Sequence, residues 1–260
     1  MRFIKRSFFY FLVGMIIWTG FVFFVRDKYT VPILMYHRVA SFGATGELNV
    51  VSQKSFDRQM KYLKKHGYHV ISLDDLIQGI TKGVLFYRKS VVITFDDGYE
   101  DNYAKAFPTL KRYGFPAIIF VISDSVGKEG FVNWKQLLEM QGQEILIGSH
   151  TRSHAYLPDV PSQEQLLDEI VNSKRDLEKA LGTEIKYFSY PSGGYTEEIK
   201  EMIVNAKYKG ACATNRGYDR FNTGVYELKR IRISNNDNAV VMWAKLSGYY
   251  NLFRQFKNSY

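Results

Sequence analysis

The sequence holds a single cysteine, Cys212, in 260 residues. An internal disulfide framework and a multi-cysteine metal site are therefore excluded. This leaves the compartment open, because exported bacterial proteins often fold without disulfides. Cys212 lies in the small-residue run Gly210-Ala211-Cys212-Ala213-Thr214 and reads as core. Histidine is also scarce, at five, so two that fall close together carry weight. Neither Ser149 nor Ser192 sits in a G-x-S-x-G elbow, which argues against a serine nucleophile. Internal repeats and low-complexity linkers are missing, so nothing demands a second globular unit. The net charge of +9 would suit nucleic acid, but the basic residues are scattered, and no nucleic-acid partner is expected.

What remains is globular in composition, with 46% hydrophobic and 23% charged residues, and long enough for one substantial core. Residues 8–25 are almost wholly apolar and uncharged. As a helix they would reach about 27 Å, close to the thickness of a bilayer core. Arg2, Lys5 and Arg6 precede them, and Arg26, Asp27 and Lys28 follow. The pattern predicts a signal anchor over residues 1–30, with a cytoplasmic N-terminus and one transmembrane helix. Residues 31–260 would then be an exported domain at the cell membrane. Secretion after signal cleavage is the alternative.

From residue 31 the chain alternates short apolar runs with amphipathic stretches. The runs at 31–36, 69–71, 91–95, 117–122, 145–148, 185–190, 210–214 and 228–233 are rich in Val, Ile and aromatics and read as strands. Ser72 with Asp75 resembles a capping box. The stripe Leu166, Leu167, Ile170, Leu177 and Leu181 predicts a helix over 162–181 that Gly182 stops. A second helix is expected over 103–113, broken near Pro108, and residues 42–53 read as an irregular insertion. Alternating strand and helix predicts an α/β fold with parallel strands.

Polar residues cluster at the strand ends. Ile33-Leu34-Met35-Tyr36 leads into His37, and Val91-Val92-Ile93-Thr94-Phe95 into Asp96-Asp97-Gly98. Ile145-Leu146-Ile147-Gly148-Ser149 leads into His150-Thr151-Arg152-Ser153-His154. Tyr187-Phe188-Ser189-Tyr190 leads into Pro191-Ser192-Gly193-Gly194. In a parallel α/β barrel these ends open on one face, so the four segments are expected to converge. Each alone has a plainer reading: Asp-Gly as a turn, the histidine pair as surface, His37 as a structural histidine. Together, one aspartate and two histidines make a ligand set for a divalent metal. A second carboxylate could act as base, and a separate histidine could supply a proton. Arg230 and Arg232 share one face of 228–233 by the two-residue period. A solvated edge strand is the favoured reading of this pair; the other is that one of them orients Asp96, with Arg230 also a candidate for the substrate or the oxyanion.

Thr94-Phe95-Asp96-Asp97-Gly98 resembles the first motif of NodB-type polysaccharide deacetylases, carbohydrate esterase family 4. His150-Thr151-Arg152-Ser153-His154 resembles the second, and Phe188-Ser189-Tyr190-Pro191-Ser192-Gly193 a variant of the third. The opening Pro32-Ile33-Leu34-Met35-Tyr36-His37-Arg38-Val39 resembles the poly-N-acetylglucosamine deacetylase branch, in which a histidine motif is permuted to the N-terminal side. The resemblance implies a distorted (β/α) barrel of NodB type, with residues 31–260 as catalytic domain. It implies hydrolysis of N-acetyl groups from an N-acetylglucosamine polymer, poly-β-1,6-N-acetylglucosamine favoured, releasing acetate. Peptidoglycan, chitin oligomers, or a tethered glycan-binding protein with an inactive site are the alternatives. By the same resemblance Asp97, His150 and His154 hold one divalent ion. Zinc is expected, with cobalt, nickel, manganese or iron as alternatives. Asp96 is the base, His37 the acid, and a backbone N–H beside Tyr190-Pro191 the oxyanion donor. The glycan, the membrane, and polysaccharide synthesis or export machinery are the implied partners. Two departures stand out: Ser189-Tyr190 replaces the third-motif arginine, and the fourth motif has no clear match.

Overall fold

Short buried strands alternate with helical crossovers from Ile33 onward, and every strand pair is parallel. The computed structural model describes residues 10, 12–20, 29–40, 49–217 and 219–254. The strands are β1 (Ile33–Tyr36), β2 (Arg38–Ala40), β3 (Val50–Ser52), β4 (His69–Val70), β5 (Ser90–Phe95), β6 (Ala117–Val121), β7 (Ile145–Ser149), β8 (Tyr187–Ser189), β9 (Gly210–Cys212) and β10 (Ile231–Arg232). The main sheet runs β10-β1-β5-β6-β7-β8-β9, with β4 added to the start of β5. β2 and β3 form a separate pair. Just before β10, Leu228 N–H donates to Ala211 and Ala213 N–H donates to Leu228, while β10 itself pairs with β1. One stretch therefore bonds both ends of the ladder and holds the sheet as a strongly curved half-barrel.

Alternation along the strands divides the core in two. Leu34, Ile93, Ile119, Ile147 and Phe188 belong to one cluster with the helices, including Phe56, Leu110 and Leu177. Ile33, Val92, Ile118, Phe120, Tyr187, Cys212 and Leu228 form the other, with Leu73, Leu76 and Ile77 of helix Leu73–Lys82. Strands covered on both faces explain the near-continuous apolar runs. Gly148 lies where a Cβ would stand 2.5 Å from the Phe120 ring, so a side chain there would displace that filling.

Most helix signals hold. The Ser72–Asp75 capping box forms, and Gly83 (φ 66°) ends that helix. Ser162 caps Gln163–Leu167, and Gly182 (φ 66°) terminates Ser173–Leu181. Between them a π-turn, Asp168–Asn172, adds a residue and rotates the face. Leu167, expected in the stripe, is accordingly exposed. Pro108 begins the helix Phe107–Tyr113 instead of breaking one, after a π-turn at Asn102–Ala106. Within the expected insertion 42–53, β3 and the start of helix Gln53–Lys65 are regular, while 42–48 lie outside the described residues.

The expected membrane anchor is corrected. Among the described residues, no helix is long and apolar enough to cross a membrane. Residues 12–20 are helical and are the continuous part of that stretch that is described. The rest of 8–25, and the flanking Arg2, Lys5, Arg6, Arg26, Asp27 and Lys28, lie outside the described residues apart from Tyr10. Single-pass anchoring, and the placement at the cell membrane built on it, is not supported.

Candidate active site

The inner face of β5 continues past the strand: Val92, Thr94 and Asp96 alternate inward. Asp96 N–H still donates to the Tyr36 carbonyl, which fixes the residue at the strand end. Asp97 then leaves the sheet with φ 74°, followed by Gly98 at the same angle. Aspartate tolerates this left-handed backbone better than most residues. The turn aims the adjacent carboxylates in different directions.

Asp96 is 3% exposed and lies against Arg230, which is fully buried. The pair is bidentate, with Nη1–Oδ1 at 2.6 Å and Nη2–Oδ2 at 2.7 Å. Arg230 also donates to Ser189 Oγ, Thr94 Oγ1 and the Ala213 carbonyl, and stacks over Phe120. Its planar fork thus joins β5, β6, β8 and β9. Burial alone would raise the Asp96 carboxyl, but Arg230 and His150 outweigh it and hold it well below the usual carboxylate range. Of the two arginines in 228–233, favoured from sequence as a solvated edge, Arg230 is the one that is buried and paired with this aspartate. Arg232 is exposed and lines the cleft instead.

Asp97 Oδ1 lies 3.4 Å from His150 Nε2 and 3.4 Å from His154 Nε2. The ligand atoms of the three residues are all within 4.8 Å of one another. Asp97 Oδ1 is buried and has no hydrogen-bond partner, an orphaned lone pair that a cation would satisfy. His150 Nδ1 is 2.7 Å from the Ser189 carbonyl, which can only accept. The proton therefore sits on Nδ1, and Nε2 presents its lone pair to the cluster. Burial opposes charge on His150, yet Asp96 and Asp97 raise its proton affinity; burial and His150 lower that of His154. An aspartate and two imidazoles arranged in this way fit a divalent ion with open positions for water and substrate.

The histidine loop is held from below by a residue that the motif reading missed. Glu169 is 9% exposed, and its carboxylate accepts from the backbone N–H groups of Arg152 and Ser153, each at 2.9 Å, and from Ser153 Oγ. Thr151 Oγ1 accepts from His154 N–H at 2.9 Å. Thr151 (φ 64°) and His154 (φ 67°) are left-handed, so the loop needs these bonds to keep its shape. A carboxylate three residues after Leu166, on the buried stripe of its helix, was the available signal. Glu169→Gln is expected to weaken metal affinity about 10- to 100-fold with the fold intact, as supporting residues of metal ligands do. Metal titration beside circular dichroism checks it, and unchanged affinity would remove Glu169 from the site.

His37 follows β1 and lines the same cleft as Asp96, Asp97, His150 and His154. Its carbonyl accepts from Asn102 Nδ2 at 2.7 Å. Burial lowers the proton affinity of its ring, against the pull of Asp96 and Asp97. Tyr190 and Pro191 do not line the cleft; Ser192, at φ 53°, does. Tyr190 N–H donates to the Cys212 carbonyl, its hydroxyl donates to the Tyr226 carbonyl, and proline has no N–H. The expected oxyanion donor at Tyr190 is thus already bonded, because β8 keeps its ladder with β9 one residue past the strand. Cys212 is buried and its thiol is pushed up to about 12 by burial, which removes it as a nucleophile.

The cleft holds about 520 Å³. Such an inventory serves metal-assisted hydrolysis. The family model described as polysaccharide deacetylase matches residues 86–211. The Bacillus subtilis protein named "Putative polysaccharide deacetylase YxkH" is 36% identical over 203 residues, covering 78% of this chain and 71% of its own length. A poly-beta-1,6-N-acetyl-D-glucosamine N-deacetylase of Staphylococcus aureus is 28% identical over 228 residues, covering 78% of each chain. The solved Streptococcus pyogenes deacetylase PplD, in complex with acetate, superposes with a TM-score of 0.76 at 30% identity, over 83% of this chain and 97% of that one. The chain belongs to the NodB-type polysaccharide deacetylases, enzymes that act on the N-acetyl groups of glycans.

Proposed function

We propose that residues 31–260 form the catalytic unit of a metal-dependent N-deacetylase acting on an N-acetylglucosamine polysaccharide. The observation that carries this is the pairing of two carboxylates at one strand end: Asp97 in the ligand set and Asp96 clamped beside it. Asp97, His150 and His154 would hold the ion, zinc being the first candidate for this donor set. When bound, a divalent ion there supplies Lewis acidity toward water and toward the acetyl carbonyl oxygen.

Asp96 accepts a proton from the attacking water. Arg230 keeps that carboxylate ionised and aimed, so it enters the reaction as a base. His37 donates a proton to the amide nitrogen as the C–N bond breaks, since an amine anion is a poor leaving group. Acetate and a free amino sugar result. The permuted histidine at residue 37 and the Staphylococcus aureus relatives make β-1,6-linked N-acetylglucosamine oligomers the first substrate to test. Peptidoglycan and chitin oligomers come next.

The test is acetate release from these oligomers, with and without chelator, and with zinc, cobalt or nickel restored. Release that stops on chelation and returns with metal is the expected result. Release indifferent to chelation would sink the metal role. Activity confined to peptidoglycan or chitin oligomers would move the substrate there.

A further inference from the structure

The catalytic cleft carries more positive charge than the hydrolysis uses. Arg216, Arg232 and Arg254 line it beside the reacting groups. Its carboxylates are committed elsewhere: Arg230 clamps Asp96, and Asp97 stands in the ligand set. Arg38, Arg112, Arg152 and Arg230 each pair with an aspartate. Among the described residues, no carboxylate pairs with Arg232 or Arg254.

The two side chains are placed, not scattered. Arg232 belongs to β10, two residues after Arg230, a step of about 7 Å along a strand. Arg254 Nη1 donates to the Arg230 carbonyl at 2.6 Å, which ties it to the same stretch. Burial, and Arg232 next to it, both oppose the charge on Arg254. Two like charges kept together at a substrate cleft cost electrostatic energy that an anion would recover. Guanidinium groups suit the planar oxygen pairs of carboxylate and phosphate.

We propose that Arg232 and Arg254 form an anion-recognition subsite, and that the preferred substrate is an N-acetylated glycan bearing a phosphate or carboxylate on the deacetylated sugar or its neighbour. This rests on the deacetylase reading of the cleft and narrows it. Within that class it favours polymers with acidic substituents over a plain neutral homopolymer.

Calorimetric binding to the metal-free full chain tests it, with three probes: a neutral N-acetylglucosamine trimer, the same trimer with one 6-phosphate, and the same trimer with one 6-carboxylate. At least one anionic trimer is expected to bind about tenfold tighter than the neutral one, and which one identifies the group. Raising the ionic strength should shrink the ratio. Arg232→Gln, and separately Arg254→Gln, should bring it close to one. Equal affinities for all three probes, or a ratio that survives in both variants, would overturn the subsite. Acetate release from the same trimers in the metal-loaded enzyme reports on the parent reading. Selective binding without release would refute the activity and keep the subsite. Release with equal affinities would do the reverse.

Discussion

Asp96→Asn is expected to lower acetate release by about 10²- to 10⁴-fold, the usual span for loss of a general base. Metal affinity should change little, because the ligand set uses the neighbouring carboxylate, Asp97. The substitution has a structural cost as well. Asp96 answers the charge of Arg230, which is fully buried, and an amide leaves that guanidinium without its counter-ion. Turnover and metal titration must therefore be measured at a temperature where circular dichroism shows the variant folded. Loss of turnover with metal affinity retained supports Asp96 as base. Turnover near wild type would refute it, and a parallel loss of metal binding would move Asp96 into the ligand set.

Arg230→Met is expected to destabilise the fold by about 3–5 kcal/mol at neutral pH, the range for breaking one side of a buried ion pair. In a domain of this size that lowers the melting temperature on the order of 10 °C. The sign of the pH dependence discriminates this cause from simple loss of packing. In the wild type the Asp96 carboxyl is held below its ordinary value. Its stabilisation is thus present above about pH 4, the unfolded carboxylate value, and is lost as pH falls toward the folded value. Without Arg230, burial dominates and raises the same carboxyl. The variant then gains relative stability on acidification, and the gap to wild type narrows as pH falls from 7 toward 4. Asp96→Asn combined with Arg230→Met should cost less than Arg230→Met alone, because no charge is left buried. Thermal melts across this pH range read both effects. A gap independent of pH would mean that Arg230 serves packing against Phe120 and not charge.

These two residues also mark where sequence reading stopped. The adjacent aspartates after an apolar run, and the spaced histidines after another, were visible because strand ends and ligand types are local features. So were the helix cap at Ser72 and the stop at Gly182, since a cap involves residues three or four apart. Arg230 is 134 residues from Asp96, and alternation could say only that it shared a face with Arg232. Which of the two is buried against Asp96 and which stays at the cleft mouth depends on how the stretch before β10 bonds β9 while β10 bonds β1. Glu169 was hidden for a related reason. Its place on a buried stripe was a signal, but its partners are two backbone N–H groups and Ser153 Oγ of another segment, and the pattern does not say what the carboxylate holds. The apolar stretch at 8–25 is legible as hydropathy, but among the described residues no helix is long and apolar enough to cross a membrane.

The sequence by itself determined the alternation of strand and helix, the residues available for metal and proton chemistry, and their position at strand ends. Periodicity and side-chain chemistry are properties of neighbouring residues and need no fold to be read. Tertiary structure alone decided which aspartate faces Arg230, which tautomer of His150 the Ser189 carbonyl enforces, that Tyr190 N–H is already bonded, and that Arg232 and Arg254 line one cleft with no carboxylate paired to them among the described residues. Each depends on groups brought together by the curvature of a closed parallel ladder, where hydrogen-bond direction and burial choose among side chains that look equivalent along the chain.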